Sequence, residues 1–312
     1  MKSYFAPAST GNFSVGFDLL GAAFAPKNGE LLGDELVIEA EAAELTLKLS
    51  GRYVHQLPGD VTDNLVIKCF YAFEQKVGKT LPRLKLHLKK HLPVGSGLGS
   101  SACSIVVACF AFNDYFGKPL SDFELLQLTA VCEGGVSGAV HYDNVAPSLY
   151  GGLQLMLPES PLLCRPLPWF AHWQVVLCYP GTVLSTKAAR EVMPKELSLK
   201  HSIRFANMLS RFVSALYCQD ETEAFAALQD LVAEPARLPL IPELTPIRAA
   251  LMAAGIGHVG ISGAGPTLFA VCQNDQQTQF AADYFREHYE KNQDAMTHIC
   301  TLDTAGARVL AD

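Results

Sequence analysis

The sequence predicts an α+β protein of two domains, on three observations. Leu84, Leu86 and Leu88 alternate with Lys85, His87 and Lys89, the period-two pattern of a half-buried strand. Ala102 to Phe116 runs without Gly or Pro, too long for a strand and suited to a buried helix. Pro158 to Pro168 holds four prolines in eleven residues, a break that places a boundary near 155–170 and divides the chain into residues 1–160 and 161–312.

Taken in order, Tyr4 to Ala8 reads as a short strand, followed by a loop of small polar residues, Ser9 to Asp18. Asp34 to Leu49 alternates on both sides of Ala42-Ala43 and reads as a strand pair. Asp60-Val-Thr-Asp-Asn64 caps a helix, Leu65 to Val77, that Gly78 stops. Ser121-Asp-Phe-Glu124 is a capping box for a helix from Phe123 to Glu133. A glycine-rich passage, Gly134 to Asn144, precedes the strand-like Gly151 to Leu157. The second half mixes strands (Trp173 to Cys178, His258 to Ile261, Leu268 to Cys272, His298 to Leu302) with helices. Those helices are expected at Thr186 to Val192, Lys200 to Tyr217, Thr222 to Val232, Pro246 to Ala254 and Gln276 to Tyr289.

Composition narrows the classes. With 49% hydrophobic and 18% charged residues over 312 positions, the chain can bury a substantial core. A formal charge of -7 and the absence of any basic run argue against nucleic-acid binding. The longest apolar stretch, near Ala102 to Phe112, is too short to span a bilayer. Nine scattered cysteines without Cys-x-x-Cys, and an N-terminus without an apolar signal region, point to reduced thiols and the cytoplasm.

The chemistry concentrates in Pro93-Val-Gly-Ser-Gly-Leu-Gly-Ser-Ser-Ala102, between the strand and the long helix. Glycines there permit a tight path, serines add hydroxyls, and a helix N-terminus offers unpaired N–H groups to an anion. It is neither a P-loop, since no Lys lies between Lys90 and Lys118, nor a dinucleotide fingerprint, since Ser100 and Ala102 stand where the last Gly should be. Similar small-residue loops at 9–16 and 260–267 suggest a site assembled between elements. A triphosphate on the middle loop requires a divalent cation; Ser101 and Glu133 are the oxygen donors for magnesium. Arg190 and Arg237 are isolated guanidiniums suited to a carboxylate or phosphate.

These residues carry a resemblance. Residues 93–102 resemble the central motif of the GHMP small-molecule kinases, and Ala6-Pro-Ala-Ser-Thr-Gly-Asn-Phe-Ser-Val-Gly-Phe-Asp-Leu-Leu-Gly21 resembles the first motif as homoserine kinases carry it. Ser137 to Pro147 resembles their middle segment and Gly260 to Thr267 the third motif. The resemblance implies an N-terminal domain like the second domain of ribosomal protein S5, a ferredoxin-like C-terminal domain, and an active site between them. It implies ATP-dependent phosphorylation of the L-homoserine side-chain hydroxyl, with magnesium, in threonine biosynthesis, and a homodimer as related kinases often form. By motif position Pro93, Val94, Gly95, Ser96, Gly97, Leu98, Gly99, Ser100, Ser101, Ala102 and Cys103 would wrap the phosphates, and Asn64 would lie against adenine. Asn12, Asp18, His141, Thr186, Arg190 and Arg237 would line the acceptor site. Where some relatives place an Asp as base, Asn144 is the counterpart, with the neighbouring Asp143 as a rival. Another GHMP-type kinase, or an inactive nucleotide-binding regulator, is the alternative.

Overall fold

The computed structural model describes residues 1–311, apart from the side chain of Ser137. Its first half carries β1 (Lys2–Pro7), β2 (Ser9–Gly11), β3 (Leu20–Pro26), β4 (Gly33–Ala42), β5 (Thr46–Ser50), α1 (Leu65–Val77), β6 (Arg83–Lys89), α2 (Ser100–Tyr115), α3 (Asp122–Ser137) and α4 (Val145–Tyr150). The second carries β7 (Leu153–Leu157), β8 (Leu163–Leu167), β9 (Gln174–Tyr179), α5 (Thr186–Glu191), α6 (Leu199–Cys218), α7 (Glu221–Ala227) and α8 (Ala233–Arg237). It ends with α9 (Leu244–Ala253), β10 (His258–Ile261), β11 (Leu268–Cys272), α10 (Asp275–His288), β12 (Met296–Leu302) and β13 (Arg308–Val309).

Strands and helices alternate between two sheets, the α+β class expected from sequence. A five-stranded sheet has the order β13-β1-β4-β6-β5 and takes α2 on β1 and β4. The buried residues of α2 run almost all round the helix, because α1, α3 and α4 cover what the sheet does not. The second sheet has the order β10-β11-β9-β12-β3-β7-β8, with β2 paired to β3. Helices α9 and α10 pack on it over a separate apolar cluster that includes Ile247, Leu251, Ala281 and Phe285.

Strand pairings tie the halves together, β3 with β7 among them. β3 pairs with β12 through Leu302↔Phe24, and β13 returns to β1 through Tyr4↔Val309. The amino-terminal loops therefore reach the second sheet, and all three small-residue loops meet near one place.

Local sequence explains the caps. Asn64 Oδ1 accepts from the Val66 N–H at 2.9 Å to start α1, and Gly78 ends it at φ 73°. Ser121 and Glu124 form the capping box of α3. Several expectations change: the loop expected from Ser9 opens with β2, and the proline-rich break contains β8. β4 and β5 do not pair with each other: β6 lies between them, antiparallel to β4 and parallel to β5. α3 runs past Glu133 through Gly134-Gly135 to Ser137. The helix expected over 222–232 ends at Ala227, because the Asp230 carboxylate accepts from the N–H groups of Val232, Ala233 and Glu234 and begins α8 instead.

Candidate active site

The three loops interlock through their backbones. Ser9 N–H donates to Leu98 O, Gly263 N–H to Gly11 O, and Thr267 N–H to Ser96 O. Ser262 Oγ donates to Gly97 O at 2.7 Å. Gly97 sits at φ 82°, and a Cβ there would lie 2.3 Å from the Ser262 carbonyl oxygen, so no other residue fits between the loops.

A cavity of about 570 Å³ opens where they meet. It is lined by Val94, Gly95, Ser96, Gly97, Gly99, Ser100 and Ser101 of the middle loop, together with Asn12, Asp18, Glu133, His141, Asn144, Thr186, Arg190 and Arg237. Helix α2 starts on Gly99 at φ 63°, which has no side chain to cap it, so the first N–H groups of a sixteen-residue helix are offered to an anion. A second cavity of about 460 Å³ adjoins it through Val94, Ser100, Ser101 and Val136, and is lined further by Leu57, Pro58, Asn64 and Leu65. Asn64 thus lies in the more apolar neighbour. Pro93, Leu98, Ala102 and Cys103 line neither; their side chains are buried, and the Cys103 thiol donates to Ala6 O. Any contact they make with a ligand comes from backbone.

The loop is anchored from behind by charge. Lys90 Nζ, in the core, donates to Asp34 Oδ2, Ser104 Oγ and Ser100 O. Asp34 Oδ1 accepts from the N–H groups of His91 and Leu92 just before the loop. Both charges are fully paired, and together they fix the first turn of α2.

The oxygen donors fit a hard divalent cation. Ser101 Oγ donates to Glu133 Oε1 at 2.8 Å, and Glu133 Oε2 is buried without a hydrogen-bond partner. Burial pushes the Glu133 carboxyl up to about 7, against the Ser101 hydrogen bond, which lowers it. A carboxylate held this way gains from a cation, and a hydroxyl beside it completes the kind of set magnesium accepts.

The same cavity also holds groups of both signs. Asp18 sits at φ 56°, and its N–H donates to Asn12 Oδ1 at 2.7 Å, so Asn12, itself at φ 54°, closes the turn as well as lining the cavity. His141 Nδ1 is 3.5 Å from Asp18 Oδ1, while burial lowers its pKa against the pull of the Asp18 charge. Arg237 is 4% exposed, and its Nη1 and Nε donate to Gly263 O and Ala189 O. Burial lowers its pKa first; Asp230 and Asp18 act against that. Asp143 is buried, and burial, with the Asp18 charge second, pushes its carboxyl up to about 7. Sequence reasoning did not single out Phe17, Val136, Val183 and Met193, which also line the cavity. No spacing signal marks such apolar wall residues.

Comparison with known proteins identifies the family. Residues 64–152 match the model described as GHMP kinases N terminal domain, and residues 213–291 that described as GHMP kinases C terminal. The crystal structure of homoserine kinase from Cytophaga hutchinsonii superposes with a TM-score of 0.87 at 30% identity, over 99% of this chain and 97% of that one. The chain is a GHMP kinase.

The two-domain α+β architecture of that family is therefore present here, and the activity is that of a small-molecule kinase. Two mevalonate kinases share the fold at lower identity. That of Methanococcus jannaschii gives a TM-score of 0.72 at 14% identity over 97% of this chain and 98% of its own. That of L. major, in complex with R-mevalonate, gives 0.69 at 17% over 96% of each. Fold alone does not choose the acceptor of this GHMP kinase; the cavity must. Among the described residues no helix is long and apolar enough to cross a membrane.

Proposed function

We propose that this GHMP kinase transfers the γ-phosphoryl group of ATP to the side-chain hydroxyl of L-homoserine, giving O-phospho-L-homoserine and ADP on the route to threonine. The observation that carries the reading is that Asp18, Arg190 and Arg237 share one cavity with the glycine loop. Homoserine is a zwitterion, so its ammonium suits a carboxylate and its carboxylate suits guanidinium groups. A sugar offers neither charge, and mevalonate offers a carboxylate without an ammonium to meet Asp18. The 30% identical relative described as a homoserine kinase supports the same acceptor.

In this account residues 93–103 cradle the phosphates, with the α2 N-terminus aimed at them, and adenine enters the adjoining cavity beside Asn64. Ser101 and Glu133 would hold magnesium, which when bound neutralises charge on the phosphates. Asn12, His141 and Thr186 shape the homoserine side, and Arg190 and Arg237 grip its carboxylate. Asn144 cannot accept a proton, so positioning and charge neutralisation do the work, and the hydroxyl proton leaves late, to the transferring phosphoryl group. One feature favours a side-chain base instead: Asp143 lines the same cavity, and burial raises its carboxyl to about 7, a range suited to such a base.

The test is magnesium-dependent ADP release with L-homoserine, mevalonate or galactose as acceptor. Homoserine should be preferred by a wide margin in kcat/KM. A preference for another alcohol overturns the acceptor assignment, and no release with any of them leaves a nucleotide-binding protein without this activity.

A further inference from the structure

Away from the cavity, three thiols meet at one point. Cys69 comes from α1, Cys109 from α2 and Cys132 from α3, and their Sγ atoms all lie within 4.8 Å of one another. The three helices pack against each other in every pairwise combination, so the cluster is made by tertiary structure and no sequence motif announces it. Cys69 and Cys109 are buried, whereas Cys132 keeps some exposure and provides a way in.

We propose that Cys69, Cys109 and Cys132 form a three-coordinate site for a soft, thiophilic metal ion. The donor set decides the class. The group contains sulfur alone, which disfavours magnesium and calcium, ions that require oxygen. Structural zinc takes four ligands, and this group supplies three. Soft thiolate ligands select ions such as Cu(I), for which three sulfurs suffice. A trigonal centre with metal–sulfur bonds of about 2.3 Å holds its sulfurs about 4 Å apart, and the three Sγ atoms here already lie within 4.8 Å of one another. Each thiol releases its proton to solvent as the metal–sulfur bond forms, so binding releases protons and needs no oxidant. The inference does not depend on which alcohol the kinase phosphorylates.

The experiment uses the full-length, reduced protein under anaerobic conditions. Cd(II) is titrated in while the ultraviolet sulfur-to-cadmium charge-transfer band is followed, and Cu(I) is titrated in competition with a chromogenic chelator. The expected result is saturation at one ion per chain for each metal. The signal should disappear in C132S and C69S and persist in C218S, since Cys218 is exposed and apart from the cluster. Thermal unfolding without metal checks that each variant is folded; should C69S fail, C132S at the accessible edge decides. Absence of a saturating one-equivalent signal in the wild type, or an undiminished signal in folded C132S, overturns the site.

Discussion

Asn144 turns its side-chain oxygen to the Gly11 N–H at 2.9 Å and to the Ser9 hydroxyl at 3.2 Å, which orients its amide NH2 as the group that can meet an incoming hydroxyl or phosphoryl oxygen. Under the proposed function, Asn144 would act as a donor. N144D keeps the acceptor for Gly11 and removes the donor, so kcat should fall roughly 10²-fold with homoserine and ATP affinities little changed. D143N should be the milder variant. Loss of turnover in D143N with a mild N144A, both still binding substrates, would make Asp143 the base.

Ser101 and Glu133 give the metal prediction. E133Q removes the carboxylate charge, and S101A removes the hydroxyl that holds it at 2.8 Å. S101A should raise the magnesium concentration for half-maximal activity roughly tenfold, and E133Q more. Magnesium titrations at saturating ATP read this directly. An unchanged magnesium requirement in E133Q would remove Glu133 from the metal site.

Asp143 also predicts a pH dependence for the nucleotide-free protein. Its folded pKa is raised to about 7 by burial first, whereas an unfolded Asp titrates near about 4. The folded state therefore holds this proton longer, and the stability it lends is full below about pH 4 and lost as pH rises through about 7. Thermal unfolding between about pH 5 and pH 8 should show the wild type losing stability relative to D143N as pH rises. A parallel course for the two proteins would contradict the shift.

Under the proposed function, Arg237 would join substrate grip to loop position. R237A should weaken homoserine binding by roughly 10- to 100-fold, the worth of a charge-assisted hydrogen bond, while ATP affinity stays within a few-fold. It should also lower thermal stability, because the donors to Ala189 O and Gly263 O go with it. R237K separates the two effects, since an ammonium keeps charge without the planar fork. Unaltered homoserine affinity in R237A would end the clamp role of that residue.

The pair behind the glycine loop predicts a stability effect. K90M leaves the buried Asp34 carboxylate without its ammonium and should cost about 3–5 kcal/mol in chemical denaturation. D34N/K90M should recover part of that loss. Equal stability of K90M and wild type would show that the pair does not hold the loop.

Legibility of the fold varied with how locally each element is encoded. β6 and α2 were plain, because a period-two strand, a Gly-Ser turn and a long apolar run follow one another without ambiguity. β3 was not, since Leu20–Pro26 is small and apolar with no alternation, and its partners β12 and β7 lie far along the chain. The placing of β6 between β4 and β5 is a tertiary fact that no periodicity states. Gly134-Gly135 read as a loop because each helical Gly costs about 1 kcal/mol; the helix nonetheless continues through both, as packing around α3 overrides propensity. At the site, Glu133, Arg190 and Arg237 stood out by residue type and position, and motif resemblance supplied roles for the other polar side chains. The Asn12 tie to Asp18 is local to one turn, whereas the orientation of Asn144 and the Asp34–Lys90 pair depend on contacts between distant segments; all three became visible only in three dimensions.

The most direct measurement is a crystal structure with L-homoserine, magnesium and a non-hydrolysable ATP analogue. The expected result is phosphates against residues 95–101, the metal at Ser101 and Glu133, and homoserine with its ammonium toward Asp18, its carboxylate toward Arg190 and Arg237, and its hydroxyl aimed at the terminal phosphorus. Phosphates found away from that loop, or homoserine bound outside the cavity or in the reverse orientation, would contradict it.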